Sequence, residues 1–219
     1  MAKSGERRIR KGGVRTSRGF LFEITGGHLA LDFANTVTER KTEDPEELLP
    51  EYEDLLSWAR QVELVTKADE QRLRREATRT PASARRVHRQ ALELREVIFN
   101  LFRAVAEGRR PGDGDLERLQ TFVGRALKRR RLVRHGHGVR WEWISERDDL
   151  DTILWPIALG ASELLTSEEM ARVRVCDGDS CAWLFMDRSR KGNRRWCDMT
   201  VCGNREKARR HYERIRRPR

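Results

Sequence analysis

Four cysteines, Cys176, Cys181, Cys197 and Cys202, are all that the chain contains, and they fall close together near its end. They form two C-x4-C pairs separated by fifteen residues. Each pair offers two thiolates from one tight turn, and the intervening segment is long enough to bring the turns together. A closed set of four sulfurs is what a structural zinc takes, with no position left open for a substrate. Two disulfides or an iron–sulfur cluster are the competing uses of four sulfurs. The reading adopted is one structural Zn2+ held by all four cysteines, which leaves no thiol for nucleophilic catalysis.

Between the pairs, Ala182–Met186 reads as a strand that turns at Arg190–Asn193 and returns through Arg194–Trp196 as a β-hairpin. Beyond Cys202, Gly203 suits a turn and Asn204 a helix cap, opening a helix over Arg205–Arg217. Ala208, Tyr212 and Ile215 are spaced to seat that helix on the hairpin. Knuckle, hairpin and helix make a treble-clef-like finger.

Charge divides the chain in the same place. Residues 1–19 carry seven Lys/Arg and one Glu, net +6. Residues 20–171 carry 24 basic and 28 acidic residues, net −4, and residues 172–219 carry 15 and six, net +9. The three segments sum to the +11 of the whole chain. Basic ends on a mildly acidic body point to a polyanion, nucleic acid first. No run approaches the roughly 18 apolar residues of a membrane span, and the basic N-terminus leads into no apolar signal segment. The expectation is a soluble cytoplasmic chain with no membrane partner.

The body reads as mainly α with short β-hairpins. Residues 1–19 show no apolar periodicity and contain several glycines, Gly12 and Gly13 among them, and read as a disordered basic tail. Phe20, Phe22 and Ile24 alternate as a strand; a helix then carries Leu29, Phe33 and Val37, and 39–50 is an acidic loop. Helices follow over 51–61, from a cap at Thr66, over 81–107 from the Thr80–Pro81 start, and through Leu116–Leu127. A hairpin turns at His135–Gly138, an apolar helix covers Leu150–Leu165, and Thr166 with Glu169 reads as a capping box. The division is thus a tail (1–19), a helical domain (20–171) with its own core, and a finger (172–219).

Several residues resemble a known family. Cys202-Gly203-Asn204-Arg205, with Trp183-Leu184-Phe185 and the stretch Ser189–Cys197, resembles the CGNR zinc finger of bacterial proteins. Gly27–Thr36 (GHLALDFANT), Tyr52–Ala59 and Trp155–Ala158 resemble the ABATE domain that precedes that finger. The resemblance covers roughly residues 20–215. It implies a stress-induced transcriptional regulator that binds DNA.

For such a protein the candidate DNA contacts are Arg188, Arg190, Lys191, Arg194 and Arg195 in the finger loop, and Lys207, Arg209, Arg210 and Arg214 on the helix. Arg205 is the candidate for a guanine edge, against a role bracing the finger. In the body, His28, Asp32, Asn35 and Thr36 share a helix face; they line a ligand pocket or form a buried hydrogen-bonded network. His135 and His137 could hold a second metal from one strand face but read as a plain hairpin turn, and Trp141 with Trp143 as a core wall or a pocket wall. No P-loop, GxSxG, GxGxxG or HExxH motif occurs, and the chain reads as a non-enzyme. A small-molecule effector and a homodimer remain open as partners. The alternative function is a small-molecule-binding protein or enzyme whose basic finger docks on RNA or another protein.

Overall fold

A computed structural model describes residues 7–8, 12–16, 19–145 and 149–216. The chain opens in a three-stranded antiparallel sheet, β1 (Arg7–Arg8), β2 (Gly13–Thr16) and β3 (Gly19–Phe22). In the segment expected to be structureless, 7–8, 13–16 and Gly19 lie in these strands and Gly12 directly before β2; the rest of 1–19 lies outside the described residues. The physical reason is glycine. Gly12 and Gly13 adopt φ of 121° and 155°, and a side chain on either would collide with Leu48 or with Phe20 and the Leu21 carbonyl. These glycines let the segment pass close against Leu48, Phe20 and the Leu21 carbonyl. Gln61 then grips β3, donating to the Phe22 carbonyl at 2.7 Å and accepting from its N–H at 2.8 Å.

Helix α1 (Leu29–Ala34) is short, because Asn35 closes it and the chain turns into β4 (Val37–Thr38). Strand β4 pairs with β5 (Glu46–Glu47) inside the expected acidic loop. Helices α2 (Tyr52–Gln61) and α3 (Lys67–Arg79) follow. Thr66 caps α3 by accepting from Asp69 N–H, and the Asp69 carboxylate returns the bond. Helix α4 (Pro81–Ala106) begins at a proline and buries Val87, Ala91, Leu94, Ile98, Leu101 and Phe102 at helical spacing. It is the axis of the body, contacting α1, α2, α3, α5 (Asp113–Leu127) and α6 (Leu154–Leu165). Strands β6 (Arg130–His135) and β7 (Gly138–Trp143) form the expected hairpin between α5 and α6. The first turn of the apolar helix, Leu150–Ile153, is 3-10 rather than α. Thr166 ends α6, its hydroxyl donating back to Ser162 O at 2.9 Å, so the expected capping box with Glu169 does not form. No helix among the described residues is long and apolar enough to cross a membrane.

The finger differs from its expected shape. Its hairpin joins β8 (Val173–Val175) to β9 (Leu184–Met186), and not 182–186 to 194–196. The expected return strand is a loop held by Asp187, which accepts from Ser189 N–H at 2.9 Å and Arg194 N–H at 2.8 Å. Strand β8 continues straight from the body and is apolar at Val173, so it is the nearer partner. Asp198, not Asn204, caps the last helical segment, accepting from Thr200 and Val201 N–H. One wide π turn, Met199–Gly203, leads into α7 (Asn204–Arg216). Helix α7 buries none of its residues: Tyr212 and Ile215 are 66% and 67% exposed. The expected seating of that helix on the hairpin does not occur.

Most consequential is where the finger's strands sit. Val173, Ala182, Leu184 and Met186 belong to the same buried cluster as α1, α4 and α6. Asn35 donates to Leu184 O at 2.8 Å and accepts from Leu184 N–H at 2.9 Å, both buried. The body's core therefore includes the finger's strands.

Unfolding should follow. Chelation of the metal is expected to lower the melting temperature of the whole chain in a single transition, followed by far-UV circular dichroism. Two separated transitions, the body unaffected, would show the halves to be independent. Asn35→Ala strands a buried N–H and C=O of Leu184 and should cost about 2–4 kcal/mol in denaturant titration.

Candidate metal centre and the surfaces around it

The four Sγ atoms lie within 4.8 Å of one another and all four residues are buried. Cys181 and Cys197 sulfurs are 3.8 Å apart, Cys197 and Cys202 sulfurs 3.9 Å. A tetrahedron with metal–sulfur bonds of about 2.3 Å has edges of about 3.8 Å, so the spacing fits one zinc ion. Thiolates at this distance repel, and a divalent cation among them is what lets all four ionise together. The chain's residues supply a closed, four-sulfur set with a structural role.

Each sulfur pair is built by its own turn. Trp183 N–H donates to Cys181 Sγ at 3.3 Å, and Cys197 N–H donates across to Cys176 Sγ at 3.4 Å. Gly178 is required for closeness: a Cβ there would sit 3.3 Å from Cys202 Sγ and 3.2 Å from Cys181 Cβ. Trp183 and Phe185 pack directly on the cysteines, and Trp183 Nε1 donates to Val37 O at 2.8 Å. Two cations brace the knuckles from outside. Lys41, from the body, donates to the carbonyls of Cys176 and Gly178, both at 3.1 Å. Arg194 donates to the carbonyls of Trp196 and Cys197 and lies 4.7 Å over the Phe185 ring.

Arg194, expected as a DNA contact, is thus built into the centre's scaffold. The other nine candidates separate by neighbourhood. Arg188 reaches back to Gly27 O at 3.2 Å, and Arg195 pairs with Asp177 at 2.7 Å. Arg209 lies between Asp179 (3.0 Å), Glu206 (2.9 Å) and Glu213 (2.6 Å), and Arg210 pairs with Glu206 at 2.7 Å. Arg205 stands 4.0 Å from Glu39 of the body. Arg190 and Lys191 are exposed in the loop before Arg194, and Lys207 and Arg214 are exposed on α7.

At 100° per residue, Glu206, Arg209, Arg210 and Glu213 occupy one side of α7. Lys207, His211 and Arg214, with Ala208, Tyr212 and Ile215, occupy the other. A cleft of about 240 Å³ between α7 and the first knuckle is lined by the acid-bearing side.

His28, Asp32, Asn35 and Thr36 each bond to the main chain. His28 Nδ1 caps α1 by accepting from Ala30 N–H, Asn35 holds Leu184, and Thr36 donates to Phe33 O at 2.8 Å. Asp32 accepts from Gly26 N–H at 2.7 Å. These bonds form the buried hydrogen-bonded network expected as one of the two arrangements for this group. Burial pushes the Asp32 carboxyl up to about 6, against the opposing pull of the Gly26 and Thr25 N–H groups. Beside this network, the buried Arg95 makes a two-pronged pair with Glu47 at 2.6 and 2.7 Å, and Arg40 pairs with Glu96 at 2.7 Å while stacking 3.9 Å over Phe99. Lys41 and Asp198 went unrecognised in the sequence. Lys41 carries no local signal, since its partners are 135 and 137 residues away. Asp198 did carry one, an Asp two and three residues before the N–H groups it caps.

A mainly helical domain closed by a four-cysteine finger defines the class. Family models agree with it: residues 27–168 match the ABATE model, described as "Putative stress-induced transcription regulator", and residues 172–215 match the CGNR zinc finger. The chain belongs to the ABATE family and ends in a CGNR zinc finger. No curated protein matches it.

Two outcomes are expected from the site. Arg194→Ala should weaken zinc retention roughly tenfold in competition with a chromogenic chelator, as loss of an outer-shell support does; unchanged retention would return Arg194 to the surface. Asp32 has its folded value raised above the unfolded 3.8. Its contribution is thus present below about 3.8 and lost as pH rises through about 6, on the order of 2–3 kcal/mol. Asp32→Asn should flatten that segment of the stability–pH curve.

Proposed function

We propose that this chain is a zinc-dependent DNA-binding regulator of transcription in the bacterial cytoplasm, and not an enzyme. The finger meets the duplex, and the helical domain serves sensing or dimerisation. The observation that carries the reading is the exposed side of α7. None of its thirteen residues is buried. Their acids are gathered on one side, while Lys207, His211 and Arg214 share the other with Ala208, Tyr212 and Ile215. A helix this short has little stability alone, so the knuckle that starts it is what sustains it. An α-helix fits the major groove, where cations meet phosphate and apolar atoms meet thymine methyls. The fully buried, closed sulfur set supports a structural metal rather than a catalytic one.

The contact set is narrower than charge alone suggests. Arg190, Lys191, Lys207 and Arg214 are assigned to phosphates, whereas Arg209 and Arg210 are committed to Glu206 and its neighbours. Arg205 keeps its candidacy for a base edge, in competition with Glu39.

Fluorescence anisotropy on duplex DNA across a salt series tests this. Four phosphate contacts give a slope of about −3.6 in log affinity against log salt. Lys207→Ala and Arg214→Ala should each reduce the slope by about one, and Arg209→Ala by much less. Chelation should abolish binding. A protein without salt-dependent duplex affinity, or one in which Arg209 matters as much as Lys207, would overturn the assignment.

A further inference from the structure

The β6–β7 hairpin is an independent surface. Between 128 and 143 the sequence holds six Lys/Arg and one acid, Glu142. Cross-strand register places Arg130, Leu132 and Arg134 opposite Trp143, Trp141 and Val139, so these six share one face. Glu142 points to the other face, where it pairs with Arg131 and Arg140 at 3.3 and 3.4 Å. The acid is thereby removed from the first face. That face is anchored at its base, where Trp143 meets Trp155 with ring centres 5.7 Å apart. Further out it is open: Leu132 is 59% exposed, Trp141 54% and Val139 70%. The Arg130 guanidinium lies 5.0 Å from the Trp141 ring centre and 5.2 Å from that of Trp143, fixing both rings. Leaving such a face in water costs free energy unless something covers it.

A second copy of the chain is a poor cover, because two such hairpins would bring cation against cation. The complementary occupant is a polyanion with apolar planes. In a duplex the base planes are stacked out of reach of an aromatic ring on a sheet face. A single strand presents them. The side chains of this face bear donors and apolar atoms and no acceptor for a ribose hydroxyl, while Leu132 and Val139 flank Trp141 where a thymine methyl would lie. We propose that the exposed face of the β6–β7 hairpin binds single-stranded, thymine-rich DNA, with a base stacked on Trp141 and phosphates on Arg130 and Arg134. The proposal stands apart from the duplex reading of the finger, which uses other residues.

The test titrates full-length, zinc-loaded protein with fluorescein-labelled oligothymidylate, oligouridylate and a duplex of the same length. Trp141→Ala should weaken oligothymidylate binding about tenfold, with Trp141→Phe retaining most of it. Arg134→Ala should lessen the salt dependence by about 0.7. Lys207→Ala, which addresses the finger, should leave the Trp141-dependent difference intact. Trp141 is exposed, so the variants should keep the wild-type melting temperature. Four results would overturn the proposal: no loss in Trp141→Ala, an equal loss on duplex, tighter binding of oligouridylate than oligothymidylate, or a protein dimer in solution that Trp141→Ala dissolves. The last would make the face an interface between copies.

Discussion

Asn35 gives both halves of its amide to the main chain of Leu184, and that exchange sets the architecture. It joins the end of α1 to β9 with buried bonds in both directions. Once Leu184 is fixed, Leu184 and Met186 fill the space against α1 and α4, and Trp183 and Phe185 turn the opposite way, onto the cysteines. The alternation of a strand thus links two cores, one apolar and one metal-centred. Lys41 and the Trp183–Val37 bond add polar links across the same seam. The boundary between family models, at 168 and 172, falls within continuous packing and does not separate two bodies.

The acids of the finger are as informative as its cations. Asp179, Glu206 and Glu213 hold Arg209; Asp177 holds Arg195. Exposed pairs of this kind contribute little to stability. Their effect is on the field: they cancel charge on the side of α7 next to the knuckle and leave it on the side facing away. Glu142 does the same in part in the β6–β7 hairpin, offsetting charge on one face and leaving the cations of the other without an acid. In both places a few carboxylates turn a uniformly basic segment into a surface with direction.

The long helices and the metal centre were legible, because their signals are local. The Thr80–Pro81 start and the apolar spacing of 87–105 define α4, and two C-x4-C pairs define four ligands. What misled was pairing between segments. The turn at Arg190–Asn193 points Ala182–Met186 to Arg194–Trp196 as its partner, whereas the body's core sets it beside Val173–Val175. The apolar triplet Ala208, Tyr212 and Ile215 looked like a seat for α7, but spacing does not say whether a surface exists to receive it. Gly12 and Gly13 argued for disorder, whereas their positive φ values serve a strand. The face carrying His28, Asp32, Asn35 and Thr36 was visible, yet its partners lie in backbone that sequence cannot place. Arg194 among many arginines bore no mark distinguishing it from its neighbours.

The seam between Asn35 and Leu184 also has a consequence in time. Its two ends are 149 residues apart in the chain. At a synthesis rate of roughly 5–20 residues per second, α1 leaves the ribosome on the order of ten seconds or more before its partner strand exists. Throughout that interval the apolar face that will receive Leu184 and Met186 is uncovered, and the amide of Asn35 has only water to bond. The last cysteine comes later still. Completion of the core therefore waits for β9, long after α1 has been made, and a nascent chain truncated before β9 leaves that apolar face uncovered.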